Sequence, residues 1–142
     1  MKPYIQTVQD KIGVILDKIS ASPKLHQQAL DVRFGLIAFR DYPPQDYSMT
    51  TQDYGFTSDP NVIKDHLSKL VSKGGGDGPE AQTAALAAAL KTEWRPSAMK
   101  MVILVTDSPP HAIGEDDDYF TQKTPDSESP IQIRDMREEY LL

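Results

Sequence analysis

Two short apolar runs limit what this chain can become: Phe34-Gly-Leu-Ile-Ala-Phe39 and Met101-Val-Ile-Leu-Val105. Neither alternates polar with apolar, and both are short, so each reads as a strand buried on both faces. Such strands belong to a parallel sheet covered by helices on both sides. Helical patterns supply the cover. Tyr4, Ile5, Val8, Ile12, Ile15, Leu16 and Ile19 recur at three- and four-residue steps behind Pro3, a residue suited to a first helical turn. Asp59–Pro60 opens a second helix, with Val62, Ile63, His66, Leu67, Leu70 and Val71 on one face. A third helix is expected from about Pro79 to Trp94; its alanines allow close approach to a sheet. Tyr54 to Thr57 reads as a short edge strand.

The totals exclude several classes. A chain of 142 residues fits one domain. The net charge of -6 argues against a nucleic-acid partner, which needs a basic stripe. There is no cysteine, so disulfides and thiolate-ligated zinc are excluded. No apolar run is long enough for a membrane span, and the first residues lack the pattern of a secretory leader. Those last features and the missing cysteine slightly favour a cytoplasmic location.

Following chain direction from helix to strand places four segments on one face: the N-terminus, the loop at 40–52, the loop at 73–80, and the chain from Asp107 onward. Open α/β sheets bind ligands beyond the carboxyl ends of their parallel strands, which is this face. Asp107 ends the second buried run, in Val105-Thr-Asp-Ser108. A carboxylate there can ligate a metal, directly or through water, or accept N–H bonds in the turn before Pro109. Gly74-Gly-Gly-Asp-Gly-Pro-Glu80 gives the backbone unusual freedom. Its acids, Asp77 and Glu80, can serve the helix dipole or act as ligands. The loop lacks the Gly-Lys-Ser/Thr ending of a phosphate loop. Glu115 to Asp118 reads as a solvated acidic loop, His111 as a loop histidine, His66 as packed, and Trp94 as core.

With these residues in view, the chain resembles a von Willebrand factor A domain. The glycine-rich loop followed by Leu104-Val-Thr-Asp-Ser-Pro-Pro-His111 is most similar to the hemicentin-like and alpha-kinase-linked branch, over roughly residues 2 to 120. The Asp-Gly-Pro-Glu step also resembles the metal loop of integrin beta subunits. The resemblance implies a Rossmann-like α/β sheet sandwiched by helices. It implies a metal ion-dependent adhesion site to which Glu80 and Asp107 contribute, with Asp77 as a neighbouring ligand. The ion expected is Mg2+, or Mn2+ or Ca2+. The expected partner is a protein whose acidic side chain completes the coordination.

The family's first metal motif, Asp-x-Ser/Thr-x-Ser on the central strand, has no counterpart here. The expectation is therefore a domain truncated at both ends, lacking that strand and the last ones, with a partial site that binds its ion weakly. Its parts would be a core over 2–107, an acidic, proline-punctuated loop over 108–130, and the start of a helix over 131–142. Three functions share these residues: a cation-assisted protein-binding module, an inert structural fragment, or a metal-dependent hydrolase using the same acids to activate water. The first is favoured over an enzyme, because no general base or second metal cluster is recognisable.

Overall fold

The computed structural model describes residues 4–73, 75–121 and 124–125. Its described elements are α1 (Ile5–Ser20), α2 (Pro23–Gln27), β1 (Phe34–Phe39), β2 (Thr51–Thr57), α3 (Pro60–Lys69) and α4 (Gln82–Lys91). The strands pair antiparallel in a two-stranded sheet, so the chain is α/β. The expected helix start at 131–142 lies outside the described residues. The chain divides into two compact units, Met1–Ile37 with Asp53–Lys73, and Ala38–Gln52 with Gly74–Leu142.

The first unit is built on the amphipathic faces of α1 and α3. Leu16, Ile63 and Leu67 are buried together, with Ile12, Phe34, Leu36 and Leu70 packed against them. Four-residue spacing stacks Ile12 on Leu16 and Ile63 on Leu67 along their helices. Each such leucine contributes about 1.5–3 kcal/mol by leaving water. The buried stripe of α1 is narrower than its apolar pattern: Tyr4, Ile15 and Ile19 are exposed. Asp59 caps α3 by accepting the Asn61 N–H at 2.9 Å. At the other end, the Gln9 amide donates to the Leu67 and Leu70 carbonyls at 2.6 and 3.0 Å. The Leu67 carbonyl also takes the Leu70 N–H at 3.1 Å, and the Leu70 carbonyl belongs to the set a helix end leaves without intrahelical partners. His66 is packed as expected, its ring 4.5 Å from that of Tyr54.

In the second unit, α4 is shorter than its sequence pattern. The Glu80 N–H bonds the Pro109 carbonyl at 3.0 Å and the Ala81 N–H bonds the Arg40 carbonyl at 2.9 Å. These residues are thus held as a cross-chain bridge, and the helix begins after them. Ala81, Ala84, Ala85 and Ala89 are buried, and Tyr42, Ala81 and Ala84 form a small core that Phe120 joins. The Trp94 indole N–H donates to the Ala89 carbonyl at 2.6 Å, closing the C-terminal end of α4.

One expected element is corrected. Met101–Val105 is no strand, and all five residues are exposed. A strand forms only where a neighbour satisfies its N–H and C=O groups. Among the described residues β1 pairs only with β2, which leaves the second apolar run without a ladder.

Removing packing from the first unit tests this account. Leu67→Ala should lower unfolding free energy by about 2–5 kcal/mol, because Leu67 is buried in the cluster. Val62→Ala, on the exposed side of the same helix, should change it by about 0.5 kcal/mol or less. Urea denaturation followed by circular dichroism measures both, and similar losses would refute the assigned face.

Candidate metal centre

The centre lies wholly in the second unit, where three loops meet. The first leaves β1. The Arg40 N–H still bonds the Thr50 carbonyl at 2.9 Å, and the chain then turns, with the Tyr42 carbonyl accepting from the Gln45 and Asp46 N–H groups at 2.8 and 3.2 Å. This places Asp41 at the head of the turn, 0% exposed. The second loop is the glycine-rich one. The third runs from Ser108 to Phe120 and is tied to the second by the Glu80–Pro109 bond, by the parallel bridge of Glu80 with Pro110, and by the Gln82 amide donating to the Ser108 carbonyl.

The glycines serve close approach. A Cβ on Gly75 would collide with the Asp41 carboxylate, one on Gly76 with the Gln45 amide, and one on Gly78 with the Asp117 carboxylate. None of these three has a left-handed backbone; among described glycines that conformation occurs at Gly55 and Gly114. The conformational freedom read from the sequence is therefore not what the loop uses. It uses the missing side chains.

At the centre sits His111, read from sequence as a loop residue and found buried between two aspartates. Its Nε2 lies 2.6 Å from Asp41 Oδ1, and its Nδ1 lies 2.7 Å from Asp118 Oδ1. The His111, Asp41 and Asp118 side chains have no exposed surface. Only an imidazolium donates from both nitrogens, so this arrangement favours the charged ring. Burial opposes that charge, but the hydrogen bonds to Asp118 and Asp41 outweigh it and hold His111 above its ordinary pKa. Phe120 packs edge-on against the ring at 5.1 Å, and the Tyr42 ring lies 5.7 Å away.

Asp118 is the anchor of the third loop. Besides His111, it accepts from the Ala112 N–H at 2.6 Å and the Phe120 N–H at 2.8 Å. Burial works against its ionisation, but the His111 bond and the two amides hold its pKa below the usual range. The first of those amides belongs to a residue at φ 63°, an uncommon backbone for alanine. The solvated reading of this loop thus holds for Glu115, Asp116 and Asp117 and fails for Asp118.

Among the described residues of this unit, four buried carboxylate oxygens accept no hydrogen bond; Asp46 Oδ2 faces Arg40 at 3.8 Å, which leaves Asp41 Oδ2, Asp77 Oδ1 and Glu80 Oε2. Ligand atoms of Asp41, Asp77 and His111 lie within 4.8 Å of one another. Both nitrogens of His111 are already engaged, so the donors left for a cation are the carboxylates. Asp77 is held at its other oxygen by the Tyr119 N–H at 2.8 Å. Burial, then the charges of Asp41 and Asp77, push Glu80 up to about 7. Burial raises Asp41 as well, against the pull of His111 and the Tyr42 N–H. Orphaned, mutually repelling carboxylates are what a hard cation with oxygen ligands would relieve. The donor set therefore fits a divalent ion.

Of the residues singled out from sequence, Asp77 belongs to the group of converging ligand atoms; Glu80 lies outside that group but feels the charges of Asp41, His111 and Asp77. Asp107 is exposed and lies outside the group of Asp41, Asp77 and His111. Asp41 was missed, although the argument made for Asp107 applied to it: each stands two residues past the end of an apolar run. His111 and Asp118 had no local signal, since their partners are 70 and 7 residues away.

The titrations have a defined sign. Glu80 binds its proton more tightly when folded, so stability in a chelator falls as pH rises from about 4.5 through about 7. The His111 contribution is complete below its ordinary value of 6.5 and is lost as pH climbs through its raised folded value. Both act in one direction. The Tm of the cation-free protein should fall by a few degrees between about pH 6 and pH 8. Glu80→Gln should flatten part of that slope in thermal denaturation; a Tm that rises with pH would refute the assignment.

Comparison with known proteins gives one curated relative and one family match. A curated relative, "Alpha-protein kinase vwkA" of Dictyostelium discoideum, is 28% identical over 111 residues, covering 78% of this chain and 17% of the relative. The chain thus spans about a sixth of that protein's length. No solved structure matches. Residues 1–123 match the sequence profile of the von Willebrand factor A domain. A match over residues 1–123, most of the chain, makes this chain a member of the von Willebrand factor A domain family.

Proposed function

We propose that this chain is a protein-binding module whose recognition face is organised by a divalent cation. Family membership supports an interaction module as the general class. The observation that carries the finer reading is the set of three buried, unpartnered carboxylate oxygens on Asp41, Asp77 and Glu80. Asp41 and Asp77 would hold the ion, and Glu80 would join them once ionised. Asp107, exposed and outside that group, would contribute at most as an outer ligand through water. A hard ion such as Mg2+, Mn2+ or Ca2+ suits an all-oxygen set. The ion would neutralise the site and offer a coordination position to a partner's carboxylate. The exposed loop carrying Glu115, Asp116, Asp117 and Tyr119 would form the rim of that face. His111 has both nitrogens committed to carboxylates, so it is not free to serve as a base.

Cation titration tests this directly. An ion that binds only the folded chain stabilises it by about 2.7 kcal/mol at a hundredfold excess over Kd. Saturating Mg2+ or Mn2+ should therefore raise Tm by several degrees at pH 8, and Asp41→Asn or Asp77→Asn should abolish the rise. Asp107→Ala should reduce it less, as befits a ligand acting through water. Wild-type protein whose Tm ignores all three ions would remove the cation reading and leave a structural fragment as the better description.

A further inference from the structure

We propose that Asp118 is a positioning residue for the cation: acting through His111, it fixes the carboxylate of Asp41 so that Oδ2 is presented to the ion. This rests on the cation reading above. It concerns a residue that does not itself offer an oxygen to the ion.

The geometry forms a chain. Asp118 Oδ1 accepts from His111 Nδ1 at 2.7 Å, and the same ring's Nε2 donates to Asp41 Oδ1 at 2.6 Å. The Tyr42 N–H also bonds that oxygen, at 2.6 Å. With Oδ1 held twice, the orientation of the Asp41 carboxylate is set. Oδ2 is left without a partner, on the side where Gly75 has no Cβ. An imidazole gripped at one nitrogen only can turn about its ring axis; gripped at both, it cannot. Asp118 provides the second grip, and Phe120 packs edge-on against the ring.

The same turn reaches the second ligand. Consecutive amides hold two different carboxylates: the Tyr119 N–H bonds Asp77 Oδ2 at 2.8 Å, and the Phe120 N–H bonds Asp118 Oδ1 at 2.8 Å. Fixing the backbone at 118–120 therefore places Asp41 through His111 and Asp77 directly. Partners that orient metal ligands typically change ion affinity by about 10–100-fold when removed. Asp118 itself is side-chain buried and accepts three N–H bonds, so its reach toward the ion is already spent on positioning.

The test is Mn2+ affinity, measured on the full chain by electron paramagnetic resonance or calorimetry at pH 8, with fold checked by circular dichroism in chelator. Asp118→Asn should weaken Mn2+ binding about 10-fold or more. Asp116→Asn removes the same charge from an exposed neighbour and should stay within about twofold, since exposed charges are screened. His111→Gln keeps a donor near Asp41 but cuts the link to Asp118; it should lose as much as Asp118→Asn, and adding Asp118→Asn to it should cost little more. Wild-type affinity in Asp118→Asn, with binding lost in Asp41→Asn, overturns the positioning role and leaves the cation site standing. Equal losses from Asp116→Asn and Asp118→Asn overturn it too, by showing a plain charge effect. Where Asp118→Asn does not fold, His111→Gln decides, and unchanged affinity there rejects the proposal. Wild-type protein that binds no Mn2+ removes both the site and the residue's role.

Discussion

A histidine buried between two aspartates is the interaction on which the second unit depends. His111 links the turn after β1, through Asp41, to the acidic loop, through Asp118. Taking three ionisable groups out of water costs several kcal/mol each, and their attraction offsets this only where geometry and further hydrogen bonds are good. Here the further bonds exist for Asp118, which has two amides, and for Asp41 Oδ1, which has one. They do not exist for Asp41 Oδ2. The network is thus complete on its Asp118 side and incomplete where Asp77 and Glu80 add two more orphaned oxygens. Partly satisfied buried networks are high-energy arrangements, which a bound cation of the kind proposed would relieve.

Electrostatics and packing reinforce one another around that histidine. Tyr42 and Phe120 lie against the ring and shield it from water, which strengthens the ion pairs and raises the cost of any unpaired oxygen. The glycine-rich loop lets this density form. With a Cβ at Gly75 the loop would stand off from the buried Asp41 carboxylate, whereas at Gly76 and Gly78 the side-chain ends of Gln45 and Asp117 could swing aside. Glu80 shows the consequence: burial next to Asp41 and Asp77 holds it near neutrality in pKa, poised between protonated and ionised forms.

The helical parts were legible because their physics is local. Apolar steps of three and four gave α1 and α3, and the Asp59–Pro60 start of α3 is capped as its residue types imply. The ends of α4 were not legible, because the backbone N–H groups of Glu80 and Ala81 go to Pro109 and Arg40, far along the chain. The Met101–Val105 run shows the same limit. Its composition describes a buried strand, but strand formation is a property of pairs, and no described strand pairs with it.

By itself the sequence determined the α/β class, the family, the exclusion of thiol chemistry and the presence of two acids in a glycine-rich loop. These follow from residue type, short-range spacing and motif order. Only tertiary structure decided that Asp41 and His111, 70 residues apart, share a buried hydrogen bond, and that Asp118 alone among its acidic neighbours turns inward. Whether a carboxylate is solvated or buried depends on which distant amides and rings come to meet it, and no local pattern of residues encodes that.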